Sequence, residues 1–215
     1  MTKKGKAGKK KFDNSPRGLV VFVEGETDKV FYDYLIKHLQ LLNQQKPKKQ
    51  QKVMVDKIII KNVKGIGKYN SKPKGMFKID ILPRNKGMKF DIVCCYDSDV
   101  FEQAVKPAVD WKKVKQDLLG VGAESVDEII AVRMIEDWFL LDLNGLCKFL
   151  KIDCKSISTL RGNDALGKIC SLFKKKNKIY TKGFYCDTFI THLDFNLICK
   201  SIPNEIAILE KNMFK

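Results

Sequence analysis

The sequence predicts an α/β fold: a roughly four-stranded, mostly parallel sheet flanked by helices, with a helical C-terminal extension. Short continuous apolar runs alternate with amphipathic stretches through about residue 140. The runs are apolar without a polar alternation, the pattern of strands buried on both faces. From about Asp153 onward only helical periods and polar loops follow. Strand–helix alternation of this kind implies βα units and parallel pairing. A chain of 215 residues, 44% hydrophobic, can bury the core of one domain with a small annex. The expected divisions are a disordered basic tail over 1–17, an α/β domain over 18–150, and a helical extension over 151–215 packed on it.

Arg17–Val23 reads as the first strand. In TDKVFYDYLIKHLQLL, residues Val30, Phe31, Tyr34, Leu35, His38, Leu39 and Leu42 recur at helical spacing, with Thr27 as N-cap. The polar stretch NQQKPKKQQK ends that helix, and VMVDKIIIKNV is the second strand. The loop KGIGKYNSKPKG is basic and glycine-rich, and MFKIDILPRNKG predicts a short helix stopping near Pro83. FDIVCCYDSDVF is the third strand, residues 104–119 a helix, and VDEIIAVRM the fourth strand. IEDWFLLDLNGLCKFLKI predicts one further helix, in which Trp138, Phe139, Leu140 and Leu141 read as core. ALGKICSLFKKK, DTFITHLDFNLICKSI and NEIAILEKNMF each predict a helix in the extension, and no internal repeat is present.

With 41 Lys+Arg against 25 Asp+Glu, the net charge of +16 predicts a polyanionic partner, nucleic acid (DNA or RNA) foremost. Residues 1–17 hold seven basic residues and one acid, so the remaining body still carries +10. Lys64, Lys68, Lys72 and Lys74, beside Tyr69, are the candidates for phosphate-backbone contacts. The apolar run Leu19–Val23 is too short for a secretory signal, and no run reaches the length of a membrane span. The expectation is a cytoplasmic protein without a membrane partner; oligomeric state is left open. Seven cysteines with no CxxC pair predict buried thiols in a reducing compartment, with Cys94 and Cys95 in the core. Only His38 and His192 occur, which argues against a histidine zinc site or a Ser-His-Asp triad.

The acids stand at strand ends. Glu24 follows the first strand, Asp97 and Asp99 close the third, Glu136 follows the fourth, and Asp28 lies in the first turn of the first helix. In open parallel sheets, ligands sit outside the carboxyl ends of the strands. If the chain stays extended across Asp97-Ser98-Asp99, both carboxylates project from one side. Crowded carboxylates repel, and a hard cation relieves the repulsion: Glu24, Asp28, Asp97, Asp99 and Glu136 would suffice for two Mg²⁺ or Mn²⁺ ions. Gly25 is expected to permit a sharp turn and close approach of phosphate. Glu26 is expected to face solvent.

VEGETDKVFYDYL, YDSDVF and IEDWFLLD together resemble the Toprim domain, most closely that of the OLD and RloB-type stand-alone Toprim nucleases. The resemblance spans about residues 18–145 and implies a Toprim-like sheet and metal-dependent phosphodiester chemistry. It makes Glu24 the metal-linked acid/base, Asp28 the acid of the nuclease subgroup, Asp97 and Asp99 the magnesium aspartates, and Glu136 the acid before the Trp. It also implies a prokaryotic anti-phage role. A lysine would stabilise the developing charge, with Lys182 in YTKGF and Lys168 in LGKIC as candidates. No G-x-x-x-x-G-K-[ST] occurs, so an ATPase would be a separate partner subunit. The function expected is a metal-dependent endonuclease. The alternatives are a non-catalytic nucleic-acid binder, or a subunit silent until an ATPase partner activates it.

Overall fold

The structure is a computed structural model, and it describes residues 15–99, 109–157, 160–182 and 187–214. In chain order its main elements are β1 (Arg17–Val23), α1 (Glu26–Gln45), β2 (Lys57–Asn62), β3 (Lys89–Asp97), α2 (Trp111–Gly120) and β4 (Ser125–Ala131). There follow α3 (Ile135–Leu141), α4 (Leu143–Leu150), α5 (Ala165–Lys174), α6 (Phe195–Ser201) and α7 (Pro203–Met213). The four strands form one all-parallel sheet in the order β2-β1-β3-β4.

Two cores lie on the two faces of the sheet, because successive side chains of a strand point to opposite sides. Leu19, Val21 and Val23 of β1, with Val93 and Cys95 of β3, pack against α1, α3 and the C-terminal helices. Val20 and Phe22, with Phe90, Ile92, Cys94 and Tyr96, pack against Tyr69, Phe77, Ile81, Val114 and Leu118 on the other face. Phe31 sits at the centre of the first core, its ring within 5.8 Å of the Tyr32, Trp138, Phe139 and Phe195 rings. At Gly18 a Cβ would stand 2.3 Å from the Phe90 ring, so only glycine lets β1 pass this side chain.

The chain leaves β1 for β2 on one side of the sheet and leaves β3 for β4 on the other. The direction of winding therefore reverses between β1 and β3, the point in open parallel sheets outside which ligands bind at the strands' carboxyl ends. Val23 pairs with Cys95, which sets Glu24 level with Tyr96, next to Asp97.

Several expectations need correction. Residues 1–14 of the expected tail lie outside the described residues, whereas Arg17 opens β1: its N–H donates to Asp56 and its guanidinium pairs with Asp91. The N-cap of α1 is Gly25, and Thr27 is buried inside the first turn. Gly25 has φ −137°, extended backbone open to any residue, so a sharp turn does not explain it. The helix before Pro83 starts at Lys72 and passes through π-helical turns over Met76–Ile81 before ending at Arg84. Such wide turns suit a residue that has no N–H to donate and whose ring crowds the turn before it.

Part of the helix expected over 104–119 lies outside the described residues. Its described part begins at Trp111, where Asp110 caps it by accepting from the Lys113 N–H. The single helix expected after β4 is two, because Asp142 caps α4 through the Gly145 N–H at 2.9 Å and also accepts from Asp194 N–H at 2.7 Å. A Cβ on Gly145 would meet that carboxylate at 2.1 Å. Asp194 breaks the later stretch in the same way by capping α6. Trp138 and Phe139 are core, but Leu141 is exposed. Cys147 and Cys154, expected as free thiols, form a disulfide with Cα atoms 5.7 Å apart, while Cys94 and Cys95 are buried and free. The chain folds back after α4 and brings the pair into bonding range. Among the described residues, no helix is long and apolar enough to cross a membrane.

Candidate functional site

The carboxyl ends of β1, β3 and β4 bring the acidic residues to one rim. Asp97, the last residue of β3, is almost wholly buried, and its Oδ1 accepts from the Ile135 N–H at 2.9 Å, where α3 begins. The chain does not stay extended beyond it but bends at Ser98. Ser98 N–H donates to Ala131 O at 3.0 Å, Asp99 N–H to Arg133 O at 2.8 Å, and Arg133 N–H to Ser98 Oγ at 2.7 Å. Arg133 holds φ at +66°, an uncommon backbone state for a side-chain-bearing residue, and these bonds fix it there. The two aspartates thus share the rim through a turn locked onto the β4–α3 corner, not through the strand pleat.

Lys182 joins the acids. Its Nζ lies 2.7 Å from Asp97 Oδ2, 3.5 Å from Asp99 Oδ2 and 3.9 Å from Glu136 Oε2. Glu136, in the first turn of α3, has no exposed surface, and its Oε1 accepts from the buried Tyr180 hydroxyl at 2.7 Å. Of the two candidate lysines, Lys182 alone ion-pairs with these acids among the described residues; Lys168 lies on α5 without such a contact.

Glu24 and Asp28 complete the group electrostatically. Burial, then the Asp97 charge, pushes the Glu24 carboxyl up to about 7, while Lys182 and a backbone hydrogen bond from Asp97 pull the other way. Burial also holds the Asp28 carboxyl well above its ordinary value, with the charges of Asp97 and Glu24 adding to it. Asp97 and Glu136 are raised by burial and partly restored by Lys182. The same acids push the Lys182 ammonium up against the opposing effect of its own burial, so it stays charged. The buried acids therefore feel one another, and Lys182 is the cation shared by Glu24, Asp97, Asp99 and Glu136.

The donor set fits a hard divalent cation in its chemistry: carboxylate oxygens only, with no thiolate or imidazole. Three buried oxygens, Glu24 Oε2, Asp99 Oδ1 and Glu136 Oε2, accept no hydrogen bond, which is costly unless a cation serves them. Among the described residues, no group of three His, Cys, Asp or Glu stands ready in metal-ligand geometry.

The basic loop after β2 borders the same rim. Gly65 N–H donates to Glu24 O at 2.8 Å, and Val63 N–H to Val23 O at 2.9 Å. Lys64 and Gly65 both take positive φ, +67° and +105°, and at Gly65 this is a conformation that favours glycine. Lys64, Lys68, Lys72 and Lys74 are all exposed, but Lys74 is paired with Asp117 on α2 at 2.8 Å. Tyr69 is buried, its hydroxyl donating to Phe22 O and Cys95 O, and is a strut between β1 and β3. Glu26, expected to face solvent, is partly buried and accepts from Asn62 Nδ2 at 2.8 Å. A groove of about 650 Å³ lies apart from the acidic rim, between α1 and β2, lined by Val30, Tyr34, Lys37, Ile58 and Ile60 among others.

Sequence reasoning missed Tyr180 and the Ile135 N–H. The one sequence signal for Tyr180 is its place two residues before Lys182. No protein-family model, curated protein or solved structure matches this chain.

Proposed function

We propose that the protein is a metal-dependent phosphodiester hydrolase that cuts nucleic acid at the rim outside β1, β3 and β4. The observation that carries this reading is the meeting of Asp97, Asp99 and Glu136 on Lys182 at the sheet's reversal point. The Toprim-like motifs in the sequence point to the same chemistry, and the sheet order and the position of Glu24 support them.

Glu24, Asp28, Asp97, Asp99 and Glu136 are the residues that would hold Mg²⁺ or Mn²⁺. Bound there, the cation supplies charge stabilisation to the phosphate oxygens and lowers the pKa of the attacking water. Glu24, with its carboxyl pushed up to about 7, is suited to accept a proton near neutral pH. Lys182 can donate to a phosphate oxygen as charge develops on it. Lys64, Lys68 and Lys72 are exposed on the loop whose Gly65 N–H bonds to Glu24 O, and they would grip phosphates without reading bases. An anti-phage role, and activation by a separate ATPase, belong to the same reading by family resemblance.

The test is cleavage of labelled single- and double-stranded DNA and RNA by the full chain with Mg²⁺ or Mn²⁺. Cutting is expected to need the metal and to vanish in folded Asp97→Ala and Glu24→Gln proteins. Cutting that survives both substitutions overturns the proposal.

A further inference from the structure

The cation at the centre of the acidic rim is part of the chain itself. Asp97 Oδ1 is already taken by the Ile135 N–H, and Glu136 Oε1 by the Tyr180 hydroxyl. Asp97 Oδ2, Asp99 Oδ2 and Glu136 Oε2 lie within 3.9 Å of Lys182 Nζ, while Asp99 Oδ1 and Glu24 Oε2 are buried and accept no hydrogen bond. Glu136 is fully buried, and its Oε2 accepts no hydrogen bond. A metal ion held by Asp97 Oδ2 and Glu136 Oε2 would use oxygens that the ammonium already engages.

We propose that Lys182 is the resident counter-ion of the rim, and that a divalent cation binds only by displacing its ammonium from Asp97, Asp99 and Glu136. The proposal rests on the metal reading given above. One ammonium cannot neutralise three carboxylates, so a doubly charged ion gains by taking its place. The Lys182 side chain is about a third exposed and has a flexible four-carbon stem, so it can withdraw toward water without unfolding its surroundings. Once lifted, the ammonium stays beside the rim, where an incoming phosphate would meet it. One lysine thus holds the acids together when metal is scarce and turns to the substrate when metal is present.

The test uses the full chain and Mn²⁺ or Mg²⁺ alone, without substrate. Calorimetric titration of Mn²⁺ is made on the unaltered protein, on Lys182→Met and on Asp97→Asn. Lys182→Met is expected to bind at least tenfold more tightly than the unaltered protein, and Asp97→Asn at least tenfold more weakly. Equal or weaker binding by Lys182→Met, with binding still lost in Asp97→Asn, overturns the competition and leaves the metal reading standing. Absence of binding in all three, or binding untouched by Asp97→Asn, overturns both. Should Lys182→Met fail to fold, ¹⁵N-lysine NMR of the unaltered protein decides. A slowly exchanging ammonium signal that disappears on Mg²⁺ saturation supports displacement, and a signal that persists unchanged overturns it.

Discussion

The Tyr180 hydroxyl donates to Glu136 Oε1 across 2.7 Å, joining residues 44 apart in sequence inside the protein. The bond satisfies one oxygen of a fully buried carboxylate and turns the other toward Lys182. Removing the donor leaves that oxygen buried without a partner. Tyr180→Phe is expected to destabilise the fold by about 1–3 kcal/mol, read as a lowered urea midpoint at unchanged slope. A midpoint equal to that of the unaltered protein would show that Glu136 is held by other means.

The raised carboxyls give the metal-free protein a defined pH response. For Glu24 the folded value is about 7 against an ordinary 4.5, chiefly through burial. A raised folded pKa contributes stability that is fully present below the unfolded value and is lost as pH rises through the folded one. Asp28, Asp97 and Glu136 shift in the same direction. In chelator, the melting temperature should therefore fall between about pH 5 and pH 8. Glu24→Gln should flatten part of that fall and raise stability at pH 8 by on the order of 2 kcal/mol. A melting profile that rises with pH over this interval would contradict the account.

Lys64 and Lys68 are exposed on the loop whose Gly65 bonds to Glu24, whereas Lys74 is engaged by Asp117. Lys64→Ala and Lys68→Ala should each weaken nucleic-acid binding by a similar factor on all sequences. Each should also reduce the salt slope of the binding constant by about 1. Lys74→Ala should do less, and anisotropy titrations across salt concentrations separate the three.

Phe31 lies wholly buried where α1 meets α3 and α6. Phe31→Ala should cost about 3–5 kcal/mol, measured by denaturant unfolding. Because α1 carries Asp28 and α3 carries Glu136, the same change should weaken Mn²⁺ binding in the protein that remains folded.

The strands, the first helix and the acids at strand ends were legible in the sequence because each is written locally. A short unbroken apolar run such as Leu19–Val23 suits a strand covered on both faces, and the spacing of Val30, Phe31, Leu35 and Leu39 suits a helix with one buried side. The helix breaks were half-written, since Asp142 and Asp194 are good caps but become breaks only when α4 and α6 are placed to use them. Strand order, the Cys147–Cys154 bond and the meeting of Tyr180 and Lys182 with acids 44 and 85 residues away were decided by tertiary structure alone. Backbone sterics and side-chain periodicity act over a few residues and leave their mark on neighbouring letters. Which distant groups share a buried space is settled by the packing of whole faces and by buried charges needing partners, and no local stretch of sequence records that outcome.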